Sequence, residues 1–338
     1  MVANKSSRYV WAYESTPGTA EITAVDTVTY EFGEYNEECG QWNTPFVENP
    51  TQPKWNYDSR TPTLTELERM FPVFSHTFNP VTAQFLAWML KKPVANDPSV
   101  DIDTLDVGLT YPLTIRHEEL GGTVPALTQA VGCYAVGLTC KAERDKSFLA
   151  EIQFAWQKIE DLSNTTRPIL TTPPIAPGKL AIKPYNGNPI IIWNSGGGGS
   201  AVSIPQVWRA DFQIQQDHEI VSRNLGVTQG VYTHKIQPIR IILSAVFEAQ
   251  DMWDDYVNRV GTYEMTLQIK KHDNTSNILY QFDNCRIITI KKTGDRNKGH
   301  YGAICVIEAE QMSASNDWYT ETGAAGGDFA THWKAAVV

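Results

Sequence analysis

The chain has none of the short signatures that mark common catalytic sites: its 338 residues contain no GxSxG elbow, no HExxH, no P-loop and no GxGxxG. Its seven histidines, at positions 76, 117, 218, 234, 272, 300 and 332, are scattered, and none stands beside a serine, cysteine or carboxylate at a catalytic spacing. The expectation is that the protein is not an enzyme and uses no cofactor. No stretch approaches the ~18 uninterrupted apolar residues of a spanning helix, so no membrane insertion is expected. Met1 to Arg8 is polar and runs into Tyr9-Val10-Trp11-Ala12-Tyr13, without the length or small-residue cleavage site of a signal peptide. A protein made and kept, or assembled, in a cytoplasm is expected. The five cysteines, Cys39, Cys133, Cys140, Cys285 and Cys305, include no CxxC pair and no zinc spacing. They read as free thiols behaving as small apolar residues in strands, and the Asn-x-Ser/Thr triplets at Asn4, Asn164 and Asn274 are then fortuitous.

Positive charge is also scarce. A net charge of −10 argues against a protein that grips nucleic acid, which needs a basic face to displace counterions from phosphates. Up to Thr166 there are 22 acidic and 12 basic residues, and the remainder holds 16 of each, so the imbalance sits in the first half. Such a surface aids solubility, or keeps passing DNA from sticking.

What is present is a folded-protein composition, 42% apolar and 11% aromatic, and an internal repeat. Thr110-Tyr111-Pro112-Leu113-Thr114-Ile115 lines up with Thr262-Tyr263-Glu264-Met265-Thr266-Leu267 at an offset of 152 residues. The same offset sets Cys133 on Cys285, Leu138 on Ile290, Arg144 on Arg296, Lys146 on Lys298 and Ile152 on Ile304. Because the offset is even, side-chain parity along a strand is preserved.

Strand signals dominate. Thr27 to Phe32, Val207 to Gln215 and Ile239 to Phe247 alternate, with β-branched and aromatic enrichment. A hairpin is expected from Cys133 through a turn at Arg144-Asp145-Lys146 and back through Phe148 to Lys158, and a second from Cys285 through Thr293 to Gly299 and back to Glu310. Val136 and Leu138 then match Ile288 and Ile290, and Ile152 and Phe154 match Ile304 and Val306, as one core face. On the preceding strands Tyr111, Leu113 and Ile115, with Tyr263, Met265, Leu267 and Ile269, form an apolar face. Thr110, Thr114, Arg116, Thr262, Glu264, Thr266, Gln268 and Lys270 form a polar, wet one.

One helix per half is expected, over Val81 to Leu90 and Ala249 to Val257, each before the Tyr111 or Tyr263 strand. Lys92 to Val107 must then be an insertion. The fold class is mainly β, two tandem sandwich or barrel domains over residues 1–166 and 179–312, joined by a proline-rich linker at 167–178 and followed by an arm at 313–338. Gly196 to Ser200 reads as a flexible hairpin tip or a splice.

Residues with chemical potential have plainer explanations. His117-Glu118-Glu119 reads as a solvated turn that lacks a third metal ligand, and Asp251, Asp254 and Asp255 suit the start of a helix, so no metal site is expected. Carboxylate pairs for glycoside hydrolysis are distant in sequence, and nothing points to one. Of the ten tryptophans, Trp88, Trp208 and Trp253 fall on expected core faces. Trp11, Trp42, Trp55, Trp318 and Trp333 fall in arms and edges, where aromatics serve as interface anchors. Exposed tryptophans would also suit a carbohydrate-binding module or adhesin, which is the alternative reading.

Glu14-Ser15-Thr16-Pro17-Gly18-Thr19-Ala20, after a short arm, is similar to the Glu-x-x-x-Gly-Thr stretch near the start of the tail tube proteins of long-tailed bacterial and archaeal viruses. The two-half β layout and the glycine-bearing hairpin add to the likeness. The resemblance implies a virion protein, assembled in the host cytoplasm, in which each domain gives two hairpins to a ring-closed β-barrel, usually six domains per ring. Rings stack into a hollow tail tube for DNA. A duplicated chain would form a trimeric ring, or a hexameric one if only one half enters the barrel. Its partners would be itself, viral DNA in transit without specific binding, and tail terminator and tail tip proteins. Lumen-facing candidates are Thr110, Thr114, Thr262, Glu264, Thr266 and Gln268. Inter-ring candidates are Trp11, Arg144, Lys146, Arg296, Lys298 and Trp333.

Overall fold

Among the described residues, alternating apolar positions build a single antiparallel sheet of seventeen strands. The computed structural model describes residues 7–14, 18–20, 30–31, 73–80, 100–101, 112–119, 126–156, 158–161, 189–195, 202–204, 207–221, 230–236, 238–245, 256–257, 263–270, 277–295 and 300–316. The first half supplies β1 (Ser7–Tyr13), β2 (Tyr30–Glu31), β3 (Val73–Phe78), β4 (Val100–Asp101), β5 (Leu113–Glu119), β6 (Ala126–Glu143), β7 (Leu149–Ala155) and β8 (Lys158–Asp161). The second supplies β9 (Ile190–Ser195), β10 (Val202–Ile204), β11 (Val207–Val221), β12 (Gly230–Ile236), β13 (Ile239–Ala245), β14 (Tyr263–Lys270), β15 (Asn277–Asp295), β16 (His300–Ala309) and β17 (Gln311–Asn316).

The strand pairings occur twice. The run β2-β1-β5-β6-β8 recurs as β10-β9-β14-β15-β17, and β3-β7-β6 recurs as β13-β16-β15. Register repeats as well. Leu113 opposite Cys133 becomes Tyr263 opposite Cys285, and Ile115 opposite Ala130 becomes Met265 opposite Phe282, each pair flanking a bulge. Just before each cysteine stands a residue with left-handed backbone, Gly132 at φ 67° and Asn284 at φ 52°. Glycine and asparagine tolerate that conformation best, and it gives each long strand the bend its bulge needs.

The expected alignment needs two corrections. Leu113, not Tyr111, corresponds to Tyr263, a shift of two that leaves parity intact. On the hairpin returns, Ile152 pairs with Leu138 as Cys305 pairs with Ile290, and Phe154 with Ala135 as Ile307 with Ile287. The true counterparts of Ile152 and Phe154 are therefore Cys305 and Ile307, and this odd slip reverses parity. It explains why Ile304, expected in the core, is 37% exposed.

At their bends β6 and β15 pass from one layer to the other. Their first portions pair with β5 and β14, and their later portions with β7 and β16. Rings cross between the layers: Phe212 of β11 meets Tyr280 and Phe282 of β15 at 5.2 and 5.4 Å, and Phe148 meets Tyr280 at 5.6 Å. One hydrophobic core therefore runs through both halves. Each fully buried large side chain contributes roughly 1.5–3 kcal/mol. Trp11, opposite Ile115, and Trp193, opposite Met265, fill the same place in the two repeats, and both are fully buried. The sheet does not close into a barrel within the chain.

Of the expected helices only Tyr256 and Val257, with helical backbone, fall among the described residues. The linker at 167–178, the Gly196 to Ser200 run and residues 317–338 lie outside them, whereas Ser313 to Asn316 belong to β17 rather than an arm. Cys133, Cys140, Cys285 and Cys305 are buried free thiols, as expected, and Cys39 lies outside the described residues. Burial pushes Cys285 and Cys305 up to about 12. A raised folded pKa keeps the thiol's contribution intact below its ordinary value of 9.0, and that contribution is lost as pH rises through the folded value. Stability should therefore decline between pH 9 and 12 in chemical denaturation. At neutral pH, Ellman's reagent should leave these four thiols unlabelled until the chain unfolds. Rapid labelling of the folded protein would contradict the burial.

Candidate functional site: an open sheet edge

The two halves join strand to strand. β6 of the first repeat pairs with β11 of the second, from Gln215 opposite Gly137 to Arg209 opposite Glu143, while β11 also pairs with β13. The resulting layer runs β3-β7-β6-β11-β13-β16-β15. Arg209 holds the Asp211 carboxylate at 2.6 Å beside this joint, and Arg144 N–H donates to the carbonyl of Trp208 at 2.8 Å. Hydrogen bonding to Asp211 raises the Arg209 pKa.

β15 is the counterpart of β6, and here the repeats differ. Where β6 carries β7 on one side and β11 on the other, Thr289 to Asp295 of β15 has β16 on one side and no partner on the other among the described residues. Exposure follows: Val136 is 5% exposed, and its counterpart Ile288 is 47% exposed. Ile304 on β16, opposite Lys291, continues the open surface. An unpaired edge is a template for another strand, and an exposed lysine such as Lys291 is a common restraint on indiscriminate pairing.

One face of this layer is core, formed by residues such as Leu138, Ile152, Phe212, Ile241 and Ile307. The other is polar, with Thr139, Gln153, Gln213 and Ser244 half-buried or exposed. Its charges are of both signs, and Lys141 pairs with Glu151 at 3.6 Å.

The candidate bore positions lie elsewhere. Glu264, Thr266 and Gln268 are on β14, in the other layer, with Glu264 exposed and the other two half-buried. Thr114 is fully buried, so it faces no channel, and Arg116 on the same face is 2% exposed. The first-repeat strand is covered on both faces, whereas the wet face exists only in the second. Thr110 and Thr262 lie outside the described residues. Among the inter-ring candidates, Trp11 is buried in the core and presents no anchor. Arg144 and Lys146 lie at the exposed β6–β7 turn, where Asp145 takes φ 60° and Lys146 bonds Glu143 at 3.1 Å. Arg296, Lys298 and Trp333 lie outside the described residues. His117-Glu118-Glu119 is strand rather than turn, and His117 is buried against Tyr9. Trp208 is half-buried rather than core.

Glu14 is a structural clamp. Buried at 2% exposure, its carboxylate accepts from the amides of Gly18 and Gly132, both at 2.6 Å, and from the Thr114 hydroxyl at 3.0 Å. Its own N–H donates to the Pro112 carbonyl at 2.9 Å. The spacing from Glu14 to Gly18 thus places a carboxylate on the left-handed Gly132 bend. Sequence reading pointed to Glu14 but not to its partner 118 residues away. Ile288 could have been found only by noticing that a bulge at that position breaks alternation.

Among the described residues no cluster of three or more histidine, cysteine or acidic side chains is placed to hold a metal. The chain matches no family model and no curated protein.

Proposed function

We propose that this protein is a structural subunit that adds to copies of itself, edge to edge, and builds the tail tube of a long-tailed virus. The observation that carries the reading is the β6–β11 joint together with the open, equivalent edge on β15. A joint that links repeat one to repeat two can link repeat two to the next chain. Repeat two gives four strands to the layer, β11-β13-β16-β15, and repeat one gives three among the described residues, β3-β7-β6; a counterpart of β11 beside β3, which would receive the β15 edge of a neighbouring chain, lies outside the described residues. The two ends of the layer, β3 and β15, are different strands, so the contact is heterologous and propagates head to tail until it closes a ring. Three copies supply six repeats. The polar face of the seven-stranded layer then lines the bore, in place of the β5 and β14 positions, and its mixed, partly paired charge suits DNA that passes without being held.

Sedimentation at rising concentration tests this reading. Mass should grow from the single chain toward rings of three copies and their stacks. A monomer that persists to the solubility limit would overturn it and favour the carbohydrate-binding alternative, for which a glycan screen is the next step.

A further inference from the structure

The duplication provides an internal control for the core, and one site differs in kind between the repeats. In the first, Tyr9 of β1 lies against His117 of β5, opposite it in register, with ring centroids 4.4 Å apart and planes at 20°. His76 of β3 approaches the same ring at 4.9 Å and stacks on Phe78. His76 and His117 are 1% and 8% exposed. By strand register the corresponding positions in the second repeat are Ile191, Leu243 and Leu267. All three are buried. One repeat therefore fills the contact between its layers with aliphatic side chains, and the other fills it with two imidazoles and a phenol.

We propose that this site makes the first repeat an acid-sensitive element, which loosens between its layers at mildly acidic pH while the second repeat holds. A proton added to either imidazole places a cation in a core built for neutral rings, where both imidazoles lie against the same Tyr9 ring. Burial, then the proximity of His117, holds the His76 pKa well below its ordinary 6.5. The surrounding charged groups have their own engagements. Just after β1, Glu14 is held by its three donors. On β5, Arg116 lies on the alternate face, opposite Gln129 of β6, whose amide donates to Glu160 of β8 at 2.7 Å. On β7, Ile152 stands opposite His76, and the adjacent Glu151 pairs with Lys141. The sign follows: a depressed histidine pKa leaves stability whole above about 6.5 and removes it as pH falls toward the folded value.

Hydrogen exchange on the full chain, corrected for the intrinsic pH dependence of exchange, reads each repeat separately. Below pH 6.5 the opening equilibrium of β1, β3 and β5 should rise by about tenfold per pH unit for one excluded proton, with β9, β13 and β14 unchanged. The variant His76→Leu/His117→Leu, which puts the second repeat's leucines at both histidine positions, should erase that difference. Parallel loss of protection in both repeats, or an unaltered acid response in a folded variant, overturns the inference. Should the variant fail to fold, NMR titration of the wild-type histidines decides: His76 protonating at or above 6.5 in the folded chain contradicts it. None of these readouts depends on ring assembly.

Discussion

Replacing Ile288 by glutamate is expected to abolish self-association while leaving the single chain folded. Ile288 is 47% exposed beside the open edge of β15, so the substitution leaves no cavity in the monomer, and a surface change of this kind costs within about 0.5 kcal/mol. In the assembled state the position resembles Val136 beside the filled β6–β11 joint, at 5% exposure. Loss of ~2 kcal/mol of apolar burial at each joint lowers the association constant roughly thirtyfold, and a carboxylate forced into the joint lowers it further. The check is sedimentation beside thermal unfolding, with Ile304→Lys as a second edge variant. Val136→Glu supplies the contrast, because it places a charge within the monomer and should unfold it. An Ile288→Glu protein that assembles as well as wild type would show that the β15 edge is not the contact.

Glu14→Ala should be among the most destabilising single substitutions in the chain. The carboxylate satisfies three buried donors, one four residues on and two from distant segments, and pins the bend of β6 at Gly132. Removing it leaves these donors without their acceptor, at a cost of about 3 kcal/mol or more. Glutamine, which keeps one acceptor oxygen, should recover part of the loss. Denaturant unfolding measures both. A midpoint for Glu14→Ala within error of wild type would mean that water replaces the carboxylate without penalty.

The first and second halves made themselves legible where side-chain chemistry repeats with strand parity. Tyr263, Met265, Leu267 and Ile269 alternate inward as their pattern requires, and the cysteines at 133 and 285 mark the same bend in both repeats. What stayed hidden was set by single-residue slips and distant contacts. The bulges that skip Val136 and Ile288 reverse parity on the two hairpins, and a return arm displaced by one residue exchanges Ile304 for Cys305 in the core. Ungapped alignment cannot register either. Thr114 and Arg116 read as wet because their strand alternates, yet both are buried in the first repeat, with Thr114 held by Glu14 from 100 residues away. Trp11, which reads as an arm aromatic, belongs to a strand whose partner is remote in sequence. The joint between β6 and β11 left no local trace, since a strand's outer neighbour is chosen by the fold and not by its own pattern.

Electron microscopy of the purified chain at rising concentration, with particles averaged for rotational symmetry, tests the central claim most directly. Closed rings with a hollow bore are expected, three chains and six pseudo-equivalent repeats to a ring, stacking into tubes. Rings of six chains would keep a tube while contradicting the claim that both repeats enter the barrel. Compact single particles at every concentration would contradict assembly through the β15 edge altogether.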